Sequence, residues 1–276
     1  MRVAVLGAGA GGLSAVVELT LAGHDVRLWN RNPMTLAPHT ARKAVGYSGV
    51  LGTGVAAPEV MTTDLAEALR GAEAAVVCLP SIAHRALFTD LARLGVRLPV
   101  VLNPGHTGGA LHARAVFADH GTRLPPLAEF STLTYVARVR SGTVVTTGRA
   151  GTVRAACLPG GEEALDHGLR LFRAASPVPD VLASSLSNVN LVLHPPGAVL
   201  GASWVEATGG AFTFYSPLSE GSLRWLPAMG LARMRETSSS WGFSGNAKRS
   251  GCRWQSGWNC HCCRLCFDWK SYLLPS

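Results

Sequence analysis

No uninterrupted apolar run in the 276 residues approaches the roughly 20 that a membrane-spanning helix needs, so no anchor of that kind is expected. A secretory leader is not expected either, because the apolar opening breaks at once into glycines that carry a motif and no cleavage site follows. Cysteine and tryptophan are scarce in the first 216 residues, which hold two of the seven residues of each type. Acidic charge is short overall, with a formal net charge of +8. Of this, +5 falls between residues 217 and 276, leaving the preceding chain nearly balanced. That distribution suits small anionic ligands and argues against nucleic acid as a partner. With 47% apolar residues the chain has ample material for a core, and a soluble, cytoplasmic, globular protein of one large or two smaller domains is expected.

What is present begins at the N-terminus. Val3-Ala4-Val5-Leu6 runs into Gly7-Ala8-Gly9-Ala10-Gly11-Gly12, which reads as a strand, a tight turn and the first turn of a helix. Gly7 makes the turn, Gly9 admits close backbone approach to a pyrophosphate, and Gly12 lets helix and strand pack closely. The free N–H groups at the helix start then face the phosphates. Leu13, Val16, Val17 and Leu21 recur at helical spacing, Gly23 ends the helix, and Val26-Arg27-Leu28-Trp29 returns as a parallel strand. The fold class is therefore α/β, a Rossmann-type doubly wound parallel sheet binding a dinucleotide. At the tip of the second strand stand Asn30 and Arg31, with no carboxylate to hold a ribose 2′-hydroxyl. A guanidinium pairs with a 2′-phosphate, so NADP is favoured, with NAD as the alternative.

Further along, residues 31–58 read as a long Gly-rich connection with a short helix over 34–42, folding over the adenosine end. Val60-Met61-Thr62 reads as a strand, and Asp64 to Glu67 has the spacing of a capping box. Ala74 to Leu79 reads as a central strand ended by Pro80, and Ser81 is expected to cap a helix whose Leu87, Leu91 and Leu94 share a face. The strand ends at Leu79-Pro80-Ser81 and Asn103-Pro104-Gly105-His106 are the nicotinamide-side candidates, while His84 and His106 read as structural histidines. Thr143–Thr147 and Val153–Leu158 read as a hairpin across Gly148-Arg149-Ala150-Gly151. From Leu182, Leu186, Val189 and Leu193 form an apolar stripe, with Ser187, Asn190 and His194 on another face. Pro195 sets His194 at a helix end or kink.

Ser187-Asn188-Val189-Asn190-Leu191-Val192-Leu193-His194-Pro195, together with the upstream run from Ala128-Glu129 to Arg138, resembles the octopine/nopaline (opine) dehydrogenase family over about residues 1–215. The resemblance implies a Rossmann domain (1–176) followed by an all-helical substrate domain beginning at 177–216, with substrates meeting the nicotinamide in the cleft between them. It implies reductive condensation of an amino acid with a 2-oxo acid, by hydride transfer to an imine. His194 would be the catalytic acid, Asn190 its orienting or carboxylate-binding neighbour, and Glu129 a residue of the cofactor side. Arg138 and Arg140 are chemically suited to capture a substrate carboxylate. An impaired nucleotide-binding relative and a reductase of a small 2-oxo or hydroxy acid stay open as alternatives.

The helical domain is expected to be truncated. Only 82 residues follow His194, and neither Glu206, Glu220 nor Asp268 matches a motif position for the acidic partner of the histidine. Residues 217–276 form an atypical Cys-, Trp- and Lys/Arg-rich tail, read as disordered or as the product of a changed reading frame. Cys260-His261-Cys262-Cys263 with Cys266 is too crowded for two separated ligand pairs, so no metal is expected there, and a reducing compartment disfavours disulfides.

Overall fold

The computed structural model describes residues 1–188, 190, 199, 202, 206 and 207. By compactness the chain divides into a unit of Met1–Asn188 and a unit of Val189–Ser276. In the first unit β1 (Arg2–Leu6), α1 (Ala10–Leu21) and β2 (Asp25–Trp29) build the opening β-α-β element. Its helix stops where expected. Gly23 takes φ +83°, its N–H donates to Thr20 O, and the His24 N–H donates to Leu19 O, the paired bonds of a Schellman cap.

Residues 31–58 are not a single loop. After α2 (Pro33–Thr40), β3 (Val45–Gly49) and β4 (Gly54–Ala56) enter a sheet of their own. The main sheet resumes with β5 (Val60–Thr62), followed by α3 (Leu65–Leu69), β6 (Ala74–Val77), α4 (Ser81–Arg93), β7 (Val100–Leu102), α5 (Gly109–Asp119) and β8 (Leu127–Phe130). Asp64 caps α3 by accepting from the Ala66 and Glu67 N–H groups. Glu67 does not reach back to complete a reciprocal box, since its carboxylate takes the Thr62 hydroxyl instead. Ser81 caps nothing, because the N-cap of α4 is Pro80 and Ser81 is its first helical residue. Leu87 and Leu91 are buried as expected, but Leu94 sits at the helix end and is half exposed.

The predicted hairpin does not form. β10 (Thr143–Arg149) pairs antiparallel with β9 (Tyr135–Arg140) and parallel with β3, giving a second sheet in the order β4-β3-β10-β9. The turn of the real hairpin is Ser141-Gly142, both at positive φ (47° and 71°), the two-residue geometry whose twist suits antiparallel strands. β11 (Val153–Cys157) returns to the main sheet, and after α6 (Glu162–Leu171) the edge strand β12 (Ala175–Pro177) and α7 (Val181–Ser185) follow.

The main sheet has the order β12-β11-β8-β7-β6-β1-β2-β5, parallel except where β11 meets β8. Ala4, Leu6, Ala75, Val77, Val100 and Leu102 pack into one core with Leu65, Phe88, Leu91, Val116 and Phe117 from α3, α4 and α5. Val3, Val5, Val76 and Val101, which alternate with them along the strands, are equally sealed. A sheet buried on both faces is what continuous apolar strands require. The strand order reverses between β1 and β6, and in such sheets ligands lie beyond the carboxyl ends of the strands at that reversal.

Candidate functional site

Three segments meet beyond those strand ends. The first is the glycine loop. Gly7 takes φ +120°, and a Cβ there would lie 2.5 Å from Cys78 O. A Cβ on Gly12 would lie 1.8 Å from Gly7 O, so strand and helix touch backbone to backbone at this point. Gly9 differs, because a Cβ there meets nothing within 4 Å. The exposed Gly9 is also the N-cap of α1, with no side chain closing the first turn. A loop that is tight on its protein side and open above, at the N-terminus of a twelve-residue helix, offers the N–H groups and the space that a pyrophosphate takes.

Asn30 braces this cradle from the tip of β2. Its Oδ1 accepts from the Ala8 N–H at 3.0 Å and its Nδ2 donates to Asn32 O at 3.0 Å. Arg31 next to it is exposed. On the far side, the loop after β8 is pinned through Asn103, which is fully buried: its Oδ1 accepts from the Thr134 N–H at 3.1 Å and its Nδ2 donates to Thr134 Oγ1 at 3.0 Å. This holds Leu133 over the helix start, within 2.8 Å of where a Gly11 Cβ would be.

The second segment is Leu79-Pro80-Ser81, with Leu79 half-buried and the other two exposed. The Leu79 carbonyl has an imidazole Nε2 at 3.2 Å from His84 and another at 3.2 Å from His106, two ring N–H groups converging on one oxygen. The rings stand 5.3 Å apart, and His84 also tilts against Phe88. Burial pushes the His84 pKa down to about 4, helped by His106 and His112. Burial also lowers His106, with the Leu79 carbonyl and Glu129 pulling the other way. Both rings are held neutral near pH 7, in keeping with the structural reading of these two residues. Just past the end of β6, burial raises the Cys78 thiol to about 12, which leaves it inert as a nucleophile.

Sequence reasoning missed most of the third segment. Glu129, expected on the cofactor side, is fully buried at the end of β8, and the protein uses both of its carboxylate oxygens. Oε2 accepts from the Ala110 N–H in the first turn of α5 at 2.7 Å. Oε1 accepts from the Ser184 and Ser185 hydroxyls, each at 2.6 Å. Ser185 Oγ accepts in turn from the Gly108 N–H at 2.9 Å, and Asn188 Nδ2 donates to Thr107 Oγ1 at 3.2 Å. The loop from Asn103 to Gly108 thus wraps the carboxylate, so closely that a Cβ on Gly105 would lie 2.5 Å from Glu129 Cβ. No spacing in the sequence links Glu129 to a serine pair 55 residues away.

That arrangement reverses the expectation for α7. The buried residues of the helix are Val181, Ser184 and Ser185, while Leu182 and Leu186 of the predicted apolar stripe are exposed. The helix also ends at Ser185, and Leu186 to Asn188 do not continue it. Asn190 is helical and exposed. Arg138 lies half-buried on β9, its Nη1 donating to Ala137 O, and Arg140 is exposed at the strand's end. His194, the remainder of its stripe and the tail from 217 to 276 lie outside the described residues. Among the described residues no three His, Cys, Asp or Glu side chains group as metal ligands, and no helix is long and apolar enough to cross a membrane.

Comparison with known proteins agrees with this geometry. The family described as NAD-dependent glycerol-3-phosphate dehydrogenase N-terminus matches residues 2–103, and the alpha-helical domain of NAD/NADP octopine/nopaline dehydrogenase matches residues 177–235. Opine dehydrogenase of Arthrobacter sp. (strain 1C) is 31% identical over 220 residues, which is 77% of this chain and 60% of that enzyme. The chain therefore spans about three-fifths of the length of that relative. A glycerol-3-phosphate dehydrogenase [NAD(P)+] of Thermus thermophilus is 46% identical over 87 residues, 31% of this chain and 26% of its own. Among solved structures, octopine dehydrogenase with NADH and L-arginine superposes with a TM-score of 0.61 at 19% identity, covering 74% of this chain and 54% of its own. NADP+-bound yersinopine dehydrogenase gives 0.59 at 14% identity, covering 72% and 52%. Over the stretch it shares with these proteins, about three-fifths of that enzyme's length, the chain is similar to the NAD/NADP octopine/nopaline (opine) dehydrogenases.

Proposed function

We propose that the chain is an NADP-dependent opine-type dehydrogenase that joins an amino acid to a 2-oxo acid and reduces the resulting imine. The observation that carries the proposal is the glycine cradle, closed by Gly7 and Gly12 and open over Gly9 at the start of α1. The 220-residue likeness to an opine dehydrogenase supports the choice of chemistry. The likeness to glycerol-3-phosphate dehydrogenases covers only the nucleotide-binding part and does not speak for their substrate.

In this reading Gly7, Ala8, Gly9, Ala10, Gly11 and Gly12 receive the pyrophosphate, and Asn30 shapes the loop that does so. Arg31 meets the adenosine 2′-phosphate, and Leu79, Pro80 and Ser81 line the nicotinamide side. The bound cofactor supplies a hydride. His194 holds a proton on its imidazole and delivers it to the substrate's oxo oxygen or imine nitrogen, a role for which a group titrating near neutrality is suited. Asn190 orients that ring or a substrate carboxylate, and Arg138 pairs with a carboxylate. A cytoplasmic location goes with this reading.

The test is to titrate NADPH and NADH by fluorescence and then follow cofactor oxidation with pyruvate and a panel of amino acids. Turnover with at least one pair is expected, and His194→Ala should abolish it while leaving NADPH affinity within about twofold, because the ring acts on the substrate and not on the cofactor's phosphates. Tight NADPH binding with no turnover on any pair would instead mark an impaired relative.

A further inference from the structure

We infer that Glu129 is a positioning residue: its buried carboxylate clamps α7, and the chain that follows it as far as Asn188, to the carboxyl end of the main sheet. The inference rests on the proposed role of His194.

Two elements of separate origin end on this one side chain. The start of α5 donates to Oε2 through the Ala110 N–H, and α7 donates two hydroxyls to Oε1. Ser185 continues the chain of bonds to Gly108, and Asn188 to Thr107, so the loop of 107–110 and the segment of 184–188 are joined directly at two points and once more through Glu129. Glu129 has no exposed surface. Hydrogen bonds to a charged acceptor in such a place are about twice as strong as neutral ones, and breaking them strands the remaining partners. The same loop carries His106, which shares the Leu79 carbonyl with His84. Leu79, on the proposed nicotinamide side, and the chain from Ser184 to Asn188 are therefore held by one polar cluster. Asn188, tied to it through Thr107, stands six residues before the histidine in the sequence. Reaction rate is sensitive to displacements of about 1 Å in such an arrangement, whereas cofactor affinity, set at Gly7 to Gly12, is not.

The chemistry of the clamp separates it from a role for the charge itself. Glutamine in place of Glu129 can keep an oxygen toward the Ala110 N–H and turn its amide toward the serines, whose hydroxyls rotate to accept. A clamp survives that exchange, while a function that needs the negative charge does not.

The experiment compares the full-length wild type, Ser184→Ala/Ser185→Ala and Glu129→Gln. In the double variant, amide exchange at Leu186, Ser187 and Asn188, whose N–H groups bond back to Leu182, Ser184 and Ser185, should quicken on the order of tenfold or more, with α1 unchanged. Its kcat with the best amino acid and oxo acid should fall roughly tenfold to a hundredfold, with the Kd for NADPH within about twofold. Glu129→Gln should keep most of the activity and the wild-type exchange pattern. Unchanged exchange in the double variant overturns the clamp, as does a Glu129→Gln protein that is as slow as the double variant. A wild type without turnover defeats the reading of His194 alone, and exchange together with NADPH affinity still decides whether the clamp exists.

Discussion

The two halves of the nucleotide end of this molecule are built by opposite means. The cradle at Gly7 to Gly12 is made of backbone, with side chains removed wherever two main chains must touch and one position, Gly9, left empty on its outer side. The cluster at the ends of β6, β7 and β8 is made of buried side chains, namely Glu129, Asn103, His84 and His106, each holding main chain of another element. A backbone site is rigid because nothing in it can rotate. A side-chain site is rigid only while every donor has its acceptor. The first should therefore fail by collision and the second by loss of a partner or by a change of protonation.

The sharpest way to test the contrast is within the cradle itself. Gly12→Ala drives a methyl group to 1.8 Å from Gly7 O, and since that atom is backbone the strand or the helix must move. A loss of about 3 kcal/mol or more in urea unfolding is expected, together with loss of NADPH binding. Gly9→Ala meets nothing within 4 Å, and with φ at −71° the residue is not strained, so stability should stay within about 0.5 kcal/mol. Affinity for NADPH should nevertheless drop roughly tenfold or more, because the methyl takes the space reserved for the pyrophosphate. Equal stabilities for the two variants would show that the contact between strand and helix is not what fixes the loop.

The side-chain cluster should instead answer to acid. His84 has its pKa lowered from the ordinary 6.5 to about 4 in the folded protein, so between those values the unfolded chain binds the extra proton and the folded one does not. Stability from this group is complete above about pH 6.5, falls as the pH drops through the window, and is reduced by about 3 kcal/mol near pH 4. His84→Gln retains a donor for the Leu79 carbonyl but does not titrate. Unfolding at pH 7 and at pH 4.5 should show a smaller acid loss in this variant than in the wild type. The same loss in both would mean that the ring is not neutral in the native cluster.

How much of each region could be read in advance follows from this difference. The cradle was legible because glycine's steric role is local: strand, turn and helix lie within the first 21 residues, and Asn30 was noticed because it follows the next strand directly. The clamp was not legible, because Glu129 and Ser184 are ordinary residues until the fold joins them, and the polar positions 184 and 185 turn out to face inward. The second sheet was misread for a related reason. Gly148-Arg149-Ala150-Gly151 looks like a turn between two strand-like runs, but β10 finds its partners at Arg140 before it and at Gly46 far upstream. The turn that forms is Ser141-Gly142, whose two positive φ angles suit a two-residue connection between antiparallel strands. His194 and Asn190 were singled out by motif, and only Asn190 lies among the described residues.

The adenosine end offers a further comparison, since Arg31 is exposed and not part of either rigid construction. Arg31→Ala should weaken NADPH roughly tenfold to a hundredfold and leave NADH within about twofold, with no change in thermal midpoint. A constant ratio of the two affinities would assign the 2′-phosphate to another residue.

The smallest expected effect concerns the joint between α1 and the second sheet, where Ser14 Oγ and Thr146 Oγ1 lie 2.9 Å apart. The Ser14 hydroxyl already donates to Ala10 O at 2.9 Å and has a single proton, so Thr146 must be the donor of the pair. Thr146→Val removes that donor and leaves Ser14 with its own bond, for a cost of about 1 kcal/mol. Ser14→Ala removes the acceptor and strands a donor at a position with no exposed surface, which should cost more, about 1–3 kcal/mol. The double variant has neither group and no stranded proton, so it should be no less stable than Ser14→Ala alone. If the two costs simply add, the helix and the second sheet are held by apolar packing, and this joint belongs with the cradle and not with the side-chain cluster.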